Sequence, residues 1–239
     1  MDEKRLTLVL LPGMDGTGEL FAEFVKLLPN WIEPRVVSYP RDQKLSYDQL
    51  LPILGSTLPS NKPFVILAES FSTPLAVRFA AETPKRLRAL VLCAGFVSPP
   101  RHDVLTRIAL ILGPVLFAFG LPERICRRYL VGDTAPKSLV DGIRTTVSKV
   151  SIRVLAHRLR SLLSCNAKRE LRSVSISLLY ISGLNDRLVR MPSFEEIQQA
   201  KPDARLASVE APHFILQTKP QEAANLVLRF LQEVRSEPG

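Results

Sequence analysis

Short strand-like runs rich in hydrophobic residues fall at 6–11, 35–39, 64–68, 89–93, 177–181 and 205–209, those at 64–68 and 89–93 being unbroken. Between most of them, apolar positions recur at intervals of three and four, at about 18–28, 46–58, 73–82, 194–201 and 221–234. An apolar run without alternation predicts a strand covered on both faces, whereas the wider spacing predicts an amphipathic helix. Strands separated by helices pair in parallel, because each crossover returns the chain to the same end of the sheet. The pattern therefore predicts an α/β fold: a mainly parallel sheet of about six strands with helices on both faces and no leading hairpin. From 98 to 172 the alternation stops and the chain reads as helical, which predicts a core of 1–97 and 173–239 with a helical insertion at 98–172.

Three strand ends carry residues suited to chemistry. The run Phe64-Val65-Ile66-Leu67-Ala68 leads through Glu69 into Ser70, and Phe71-Ser72-Thr73-Pro74-Leu75 begins a helical pattern at once. A serine on a sharp strand-to-helix turn has its hydroxyl lifted clear of the sheet, and small neighbours such as Ala68 and Ser72 let the two backbones approach. The strand at 177–181 ends in Ser182-Gly183-Leu184-Asn185-Asp186, and the strand at 205–209 in Glu210-Ala211-Pro212-His213. Ser70, Asp186 and His213 thus follow one another in the order serine, acid, histidine, at ends of strands where open α/β sheets place ligands. In such a set the histidine takes the serine proton and the aspartate holds the imidazole in the required tautomer. A lone serine, turn aspartate or histidine would each more often be structural; the assignment rests on all three together.

The Leu11-Pro12-Gly13-Met14-Asp15-Gly16-Thr17-Gly18 loop after the first strand completes the set. Its glycine order fits no dinucleotide fingerprint, and no Gly-Lys-Ser/Thr follows. With this loop the chain resembles the α/β-hydrolase superfamily over nearly its whole length. It is similar to a small esterase-like subgroup and to the hydrolase-like part of phytyl ester synthases, which carry a comparable Leu-Pro-Gly-x-Asp-Gly-Thr-Gly loop. The resemblance implies Ser70, Asp186 and His213 as catalytic residues, and an oxyanion hole from the backbone N–H groups of Met14 and Phe71. It also implies ester or thioester cleavage without metal or organic cofactor, and a cap at 98–172. Two departures stand out: Ala68 and Ser72 replace the usual elbow glycines, and only one strand precedes the oxyanion loop.

Composition refines this picture. Three cysteines (Cys93, Cys126, Cys165) without paired spacing argue for a reducing, cytoplasmic setting and against a disulfide framework or metal site. The N-terminal apolar run is short and preceded by as many acids as bases, so it reads as a strand rather than a leader. Residues 101–172 hold 14 Lys+Arg against 5 Asp+Glu, while the remainder holds 18 of each, so the whole net charge of +9 lies in the expected cap. There an apolar helix is expected over 107–121, broken at Gly113-Pro114. A second should carry Ile152, Leu155, Leu159 and Leu162 on one stripe, with Arg153, His157 and Arg160 on another face and Arg158 nearby. The basic face suits an anionic or carrier-bound acyl substrate, or peripheral contact with a membrane surface; a solvated face is the plainer alternative. Nucleic acid fits poorly, because no aromatic surface accompanies the charge. Trp31, Phe21 and Phe24 read as packing residues, Cys93 as a small buried hydrophobe, and Glu69 as facing away and packing at the sheet surface, with pairing to Arg187 or lining the pocket as the alternatives. The function expected is a serine hydrolase for esters of short or medium acyl chains. The alternatives are acyl transfer to a lipid alcohol and a catalytically silent ligand-binding protein.

Overall fold

The computed structural model describes residues 5–82, 84–100 and 121–236. Strands β1 (Leu6–Leu11), β2 (Ile32–Val36), β3 (Phe64–Glu69), β4 (Leu87–Cys93), β5 (Ser177–Gly183) and β6 (Arg205–Val209) form one sheet in the order β2-β1-β3-β4-β5-β6. Every pairing is parallel. β1 and β3 are buried at all positions, and apart from Thr7 and Glu69 their residues are apolar. Side chains alternate between two cores: on one face Val9, Leu11, Ile66 and Ala68 meet the helices Tyr47–Thr57, Thr73–Ala81 and Met191–Ala200. On the other, Leu8, Leu10, Val65 and Leu67 meet Phe24 and the helix Pro220–Ser236.

The strand expected at 35–39 lies instead at Ile32–Val36. β2 is an edge strand, so Pro34 can lack its N–H on the unpaired side without costing a ladder bond. The helix expected at 18–28 is a 3₁₀ turn, Glu19–Phe21, running into Ala22–Lys26. The helix Tyr47–Thr57 starts at a capping box in which Ser46 Oγ accepts from the Gln49 N–H and the Gln49 side chain accepts from the Ser46 N–H. Phe21, Phe24 and Cys93 are buried as expected, and Trp31 is half-buried with the Arg235 guanidinium 4.9 Å from its ring centre.

From β1 the chain passes to one side for β2 and to the other for β3. The sheet order therefore reverses between β1 and β3, and a crevice opens at the C-terminal ends of those two strands. Both the glycine-rich loop and Ser70 lie there. Among the described residues, no helix is long and apolar enough to cross a membrane.

Candidate active site

Ser70 has φ of 47°, a left-handed conformation that non-glycine residues rarely adopt. The strain is held by a net of bonds around the turn. Thr73 Oγ1 donates to the Ser70 carbonyl at 2.8 Å and accepts from the Phe96 N–H at 3.0 Å. Tyr47 donates to the Phe71 carbonyl at 2.8 Å and stacks on the Phe71 ring, 4.9 Å between centres. Ser72 Oγ donates to the Pro12 carbonyl and lies 2.7 Å from the Tyr39 hydroxyl. Since Ser72 spends its proton on Pro12, Tyr39 is the donor in that second bond. Ser72 thus does more than stand in for a small glycine: it fastens the serine turn to the loop after β1.

The three residues anticipated from sequence converge. Ser70 Oγ lies 2.9 Å from His213 Nε2, and His213 Nδ1 lies 2.8 Å from Asp186 Oδ2. Asp186 Oδ1 accepts the N–H groups of Leu188 and Val189 at 2.7 and 2.9 Å, which fixes the carboxylate and leaves Oδ2 for the imidazole. The loops bearing Asp186 and His213 are pressed together: a Cβ on Gly183 would lie 2.6 Å from the Ala211 carbonyl oxygen. Only glycine allows that approach. All three side chains are largely buried, Ser70 being 9% exposed. Burial alone pushes the His213 pKa down. The charge of Asp186, its hydrogen bond and the charge of Glu69 outweigh that and raise it above the ordinary histidine value. A neutral imidazole bonded in this way can accept a proton from the serine, and the aspartate then stabilises the cation formed.

Met14 sits in the turn after β1 that is closed by the Gly16 N–H donating to the Gly13 carbonyl at 3.0 Å. Phe71 directly follows Ser70, so the two loops chosen for the oxyanion donors end at the same edge of the sheet. Glu69 departs from expectation. Rather than lying on the sheet surface it is 2% exposed, and its Oε2 receives Gln217 Nε2 at 3.3 Å. The same oxygen faces Gly13, 3.7 Å from where a Cβ would stand. Burial raises its pKa to about 7, the Gln217 bond opposing and the Asp15 charge adding to the rise. β3 runs one residue farther than expected, which carries Glu69 into the interior.

The expected cap is described from 121 onward, so the apolar helix at 107–121 lies outside the described residues apart from Leu121, which is buried. The helix Ile152–Leu163 forms, but its faces differ from the expected ones. Ile152 is 41% exposed, and Val154, Leu155, Ala156, Arg158 and Leu159 turn inward. Arg158 is therefore no part of an outer basic face. Val154 and Arg158 stand four apart, so one face carries both, and this spacing was the available signal. Several other cations are engaged locally: Lys149 with Glu19 at 2.5 Å, Arg127 with Glu123 at 2.8 Å and Lys168 with Glu196 at 3.2 Å. Arg153 and Arg160 remain exposed. A cleft of about 1080 Å³ runs beside the site, with Asn185, Pro212 and Gln217 among its walls. It flanks the loops of Asp186 and His213 without being lined by either side chain or by Ser70. Among the described residues no group of His, Cys, Asp and Glu converges as a metal site.

No protein-family model matches the chain, and no curated protein matches it significantly. Solved structures do. A bromoperoxidase from Bacillus anthracis superposes with a TM-score of 0.84 at 16% identity, over 95% of this chain and 92% of that one. A carboxylesterase structure from the thaumarchaeon Nitrososphaera gargenis gives 0.81 at 17% identity, over 98% and 92%. An enol-lactonase from Burkholderia xenovorans gives 0.81 at 16% identity, over 95% and 92%. The chain has the α/β-hydrolase fold.

Proposed function

We propose that this protein is a serine hydrolase that cleaves carboxylic esters or thioesters of short or medium acyl chains through an acyl-enzyme. The observation that carries the reading is the pair of hydrogen bonds linking Ser70, His213 and Asp186 at a strained strand-to-helix turn. Ser70 Oγ attacks the acyl carbon while its proton passes to His213 Nε2, and the carbonyl oxygen becomes an oxyanion facing the Met14 and Phe71 N–H groups. Collapse expels the alcohol or thiol, which takes the proton from His213, and leaves the acyl group on Ser70. Water then repeats the sequence and releases the acid. The names of fold neighbours, a carboxylesterase and an enol-lactonase, accord with ester chemistry. Three buried, free cysteines accord with a cytoplasmic setting.

Acyl transfer uses the same intermediate with a lipid alcohol in place of water. A panel of p-nitrophenyl esters and acyl-coenzyme A thioesters of graded length, run with and without a long-chain alcohol, tests both. Free acid should be the main product and turnover should fall for long chains; ester as the main product would assign the enzyme to acyl transfer instead. The exposed arginines of residues 121–172 favour an anionic or carrier-bound acyl donor. Raising ionic strength from about 10 mM to 0.5 M should therefore lower kcat/KM several-fold for the anionic thioesters and less than about twofold for the neutral esters. Equal responses would mark the basic surface as merely solvated.

Glu69 gives a prediction with a definite sign. His213 must be neutral to act as base, so kcat/KM rises with pH through its raised pKa. The Glu69 charge contributes to that rise. Glu69→Gln should therefore move the acid limb to lower pH, Glu69 being partly ionised near pH 7. A limb that stays in place, or moves upward, would contradict the coupling.

A further inference from the structure

Arg158 reaches the glycine-rich loop from the helix Ile152–Leu163 and is 2% exposed. Among the described residues its three hydrogen bonds all end on main-chain carbonyls: Nη1 donates to Met14 O at 3.0 Å and Asp15 O at 2.7 Å, and Nη2 to Pro40 O at 2.9 Å. The guanidinium carbon stands 5.6 Å from the centre of the Tyr39 ring. The neighbouring Asp15 carboxylate is occupied elsewhere, accepting from the Thr17 N–H at 2.8 Å and from Thr17 Oγ1 at 2.6 Å. A guanidinium taken out of water with no carboxylate bonded to it among the described residues is held against a desolvation penalty, so geometry rather than charge pairing is what it supplies. The loop is shaped to receive it. Gly16 has φ of 69°, and a Cβ there would stand 2.3 Å from Arg158 Nη1.

These contacts bear on the oxyanion donor. The peptide before Met14 is anchored through the Gly13 carbonyl, which accepts the Gly16 N–H at 3.0 Å. The peptide after Met14 is anchored through its own carbonyl by Arg158. With both flanking peptide planes fixed, the direction of the Met14 N–H is fixed as well.

We propose that Arg158 is a positioning residue, which clamps the Met14 and Asp15 carbonyls so that the Met14 N–H points at the oxyanion of the reaction proposed above. It touches no substrate, and it couples the helix at 152–163 to the reactive centre. The inference rests on the Ser70 hydrolase reading. A lysine at 158 would keep the charge but could not fork across several carbonyls.

The test compares wild type with Arg158→Gln and Arg158→Lys. Three quantities are read: kcat and KM on a neutral p-nitrophenyl ester, each per site titrated with a fluorophosphonate, and inhibition by an alkyl trifluoromethyl ketone. In the ketone adduct Ser70 Oγ bonds to the carbonyl carbon, the serine proton moves to His213, and the ketone oxygen carries the negative charge that the donors must meet. Removing one such donor outright costs on the order of 10²–10³ in kcat. A misdirected donor should accordingly lose roughly 10- to 100-fold in kcat and weaken the ketone in parallel, with KM within about threefold. A merely structural arginine would lower the number of titratable sites and leave kcat per site and ketone affinity unchanged, which would overturn the proposal. If Arg158→Gln does not fold, the lysine variant carries the same comparison with the charge retained. Wild type that neither turns over ester nor labels would instead remove the hydrolase reading itself, so the two failures are distinct.

Discussion

Replacing Ser70 with alanine is expected to lower kcat on a p-nitrophenyl ester by at least about 10⁴-fold while the protein stays folded. The chemical part of this expectation is that the substitution deletes the atom to which the acyl group attaches. Binding and the oxyanion donors survive, so a small residual rate above the uncatalysed one remains. The structural part follows from the turn. Ser70 Oγ is bonded to His213, whereas the bonds that hold the bend come from Thr73, Tyr47 and Ser72. Alanine also tolerates the backbone there, since Ala94 in the same chain has φ of 47°. The measurement is steady-state turnover alongside far-ultraviolet circular dichroism and the thermal midpoint. Activity within a few-fold of wild type would show that Ser70 is not the attacking group.

Asp186→Asn should cost on the order of 10⁴-fold in kcat near neutral pH, equivalent to about 5–6 kcal/mol of transition-state stabilisation. An asparagine can keep one oxygen on the Leu188 and Val189 N–H groups, as the aspartate does now. Its amide nitrogen then faces His213 Nδ1 with a hydrogen where an acceptor stood. The imidazole must switch tautomer, placing its proton on Nε2, where it points at Ser70 and cannot receive one. The carboxylate charge that raises the His213 pKa disappears at the same time. Loss of kcat with KM nearly constant and the thermal midpoint within a few degrees is the expected pattern. An effect below about tenfold would mean that Asp186 does not orient the histidine.

How far the sequence reached depends on what each residue answers to. β1 and β6 were readable to the residue because both runs ended at clear breakers, Pro12-Gly13 and Glu210-Ala211-Pro212. β2 was misplaced because an edge strand accepts Pro34 that a central strand would reject. Ser70, Asp186 and His213 were legible because each lies within four residues of a strand end and their order matches a known arrangement; their mutual distances came only from the fold. Glu69 was misread because its environment is made by Gly13 and Gln217, far apart in the chain. Arg158 was read only as lying near the basic face of Arg153, His157 and Arg160, although its spacing from Val154 and Leu155 put it among inward positions. Carbonyls of three other residues provide its partners, and nothing in a side-chain pattern announces them. The apolar helix expected at 107–121 lies outside the described residues.

The most direct test is a fluorophosphonate labelling experiment on the wild-type chain, read by intact mass and peptide mapping. As Ser70 Oγ bonds to phosphorus, fluoride leaves and the serine proton passes to His213. The proposed hydrolase should take one equivalent on Ser70, label far more slowly as Asp186→Asn, and not label as Ser70→Ala. Folded wild-type protein that remains unmodified, or that carries the adduct on another residue, would contradict the assignment of Ser70 as the nucleophile.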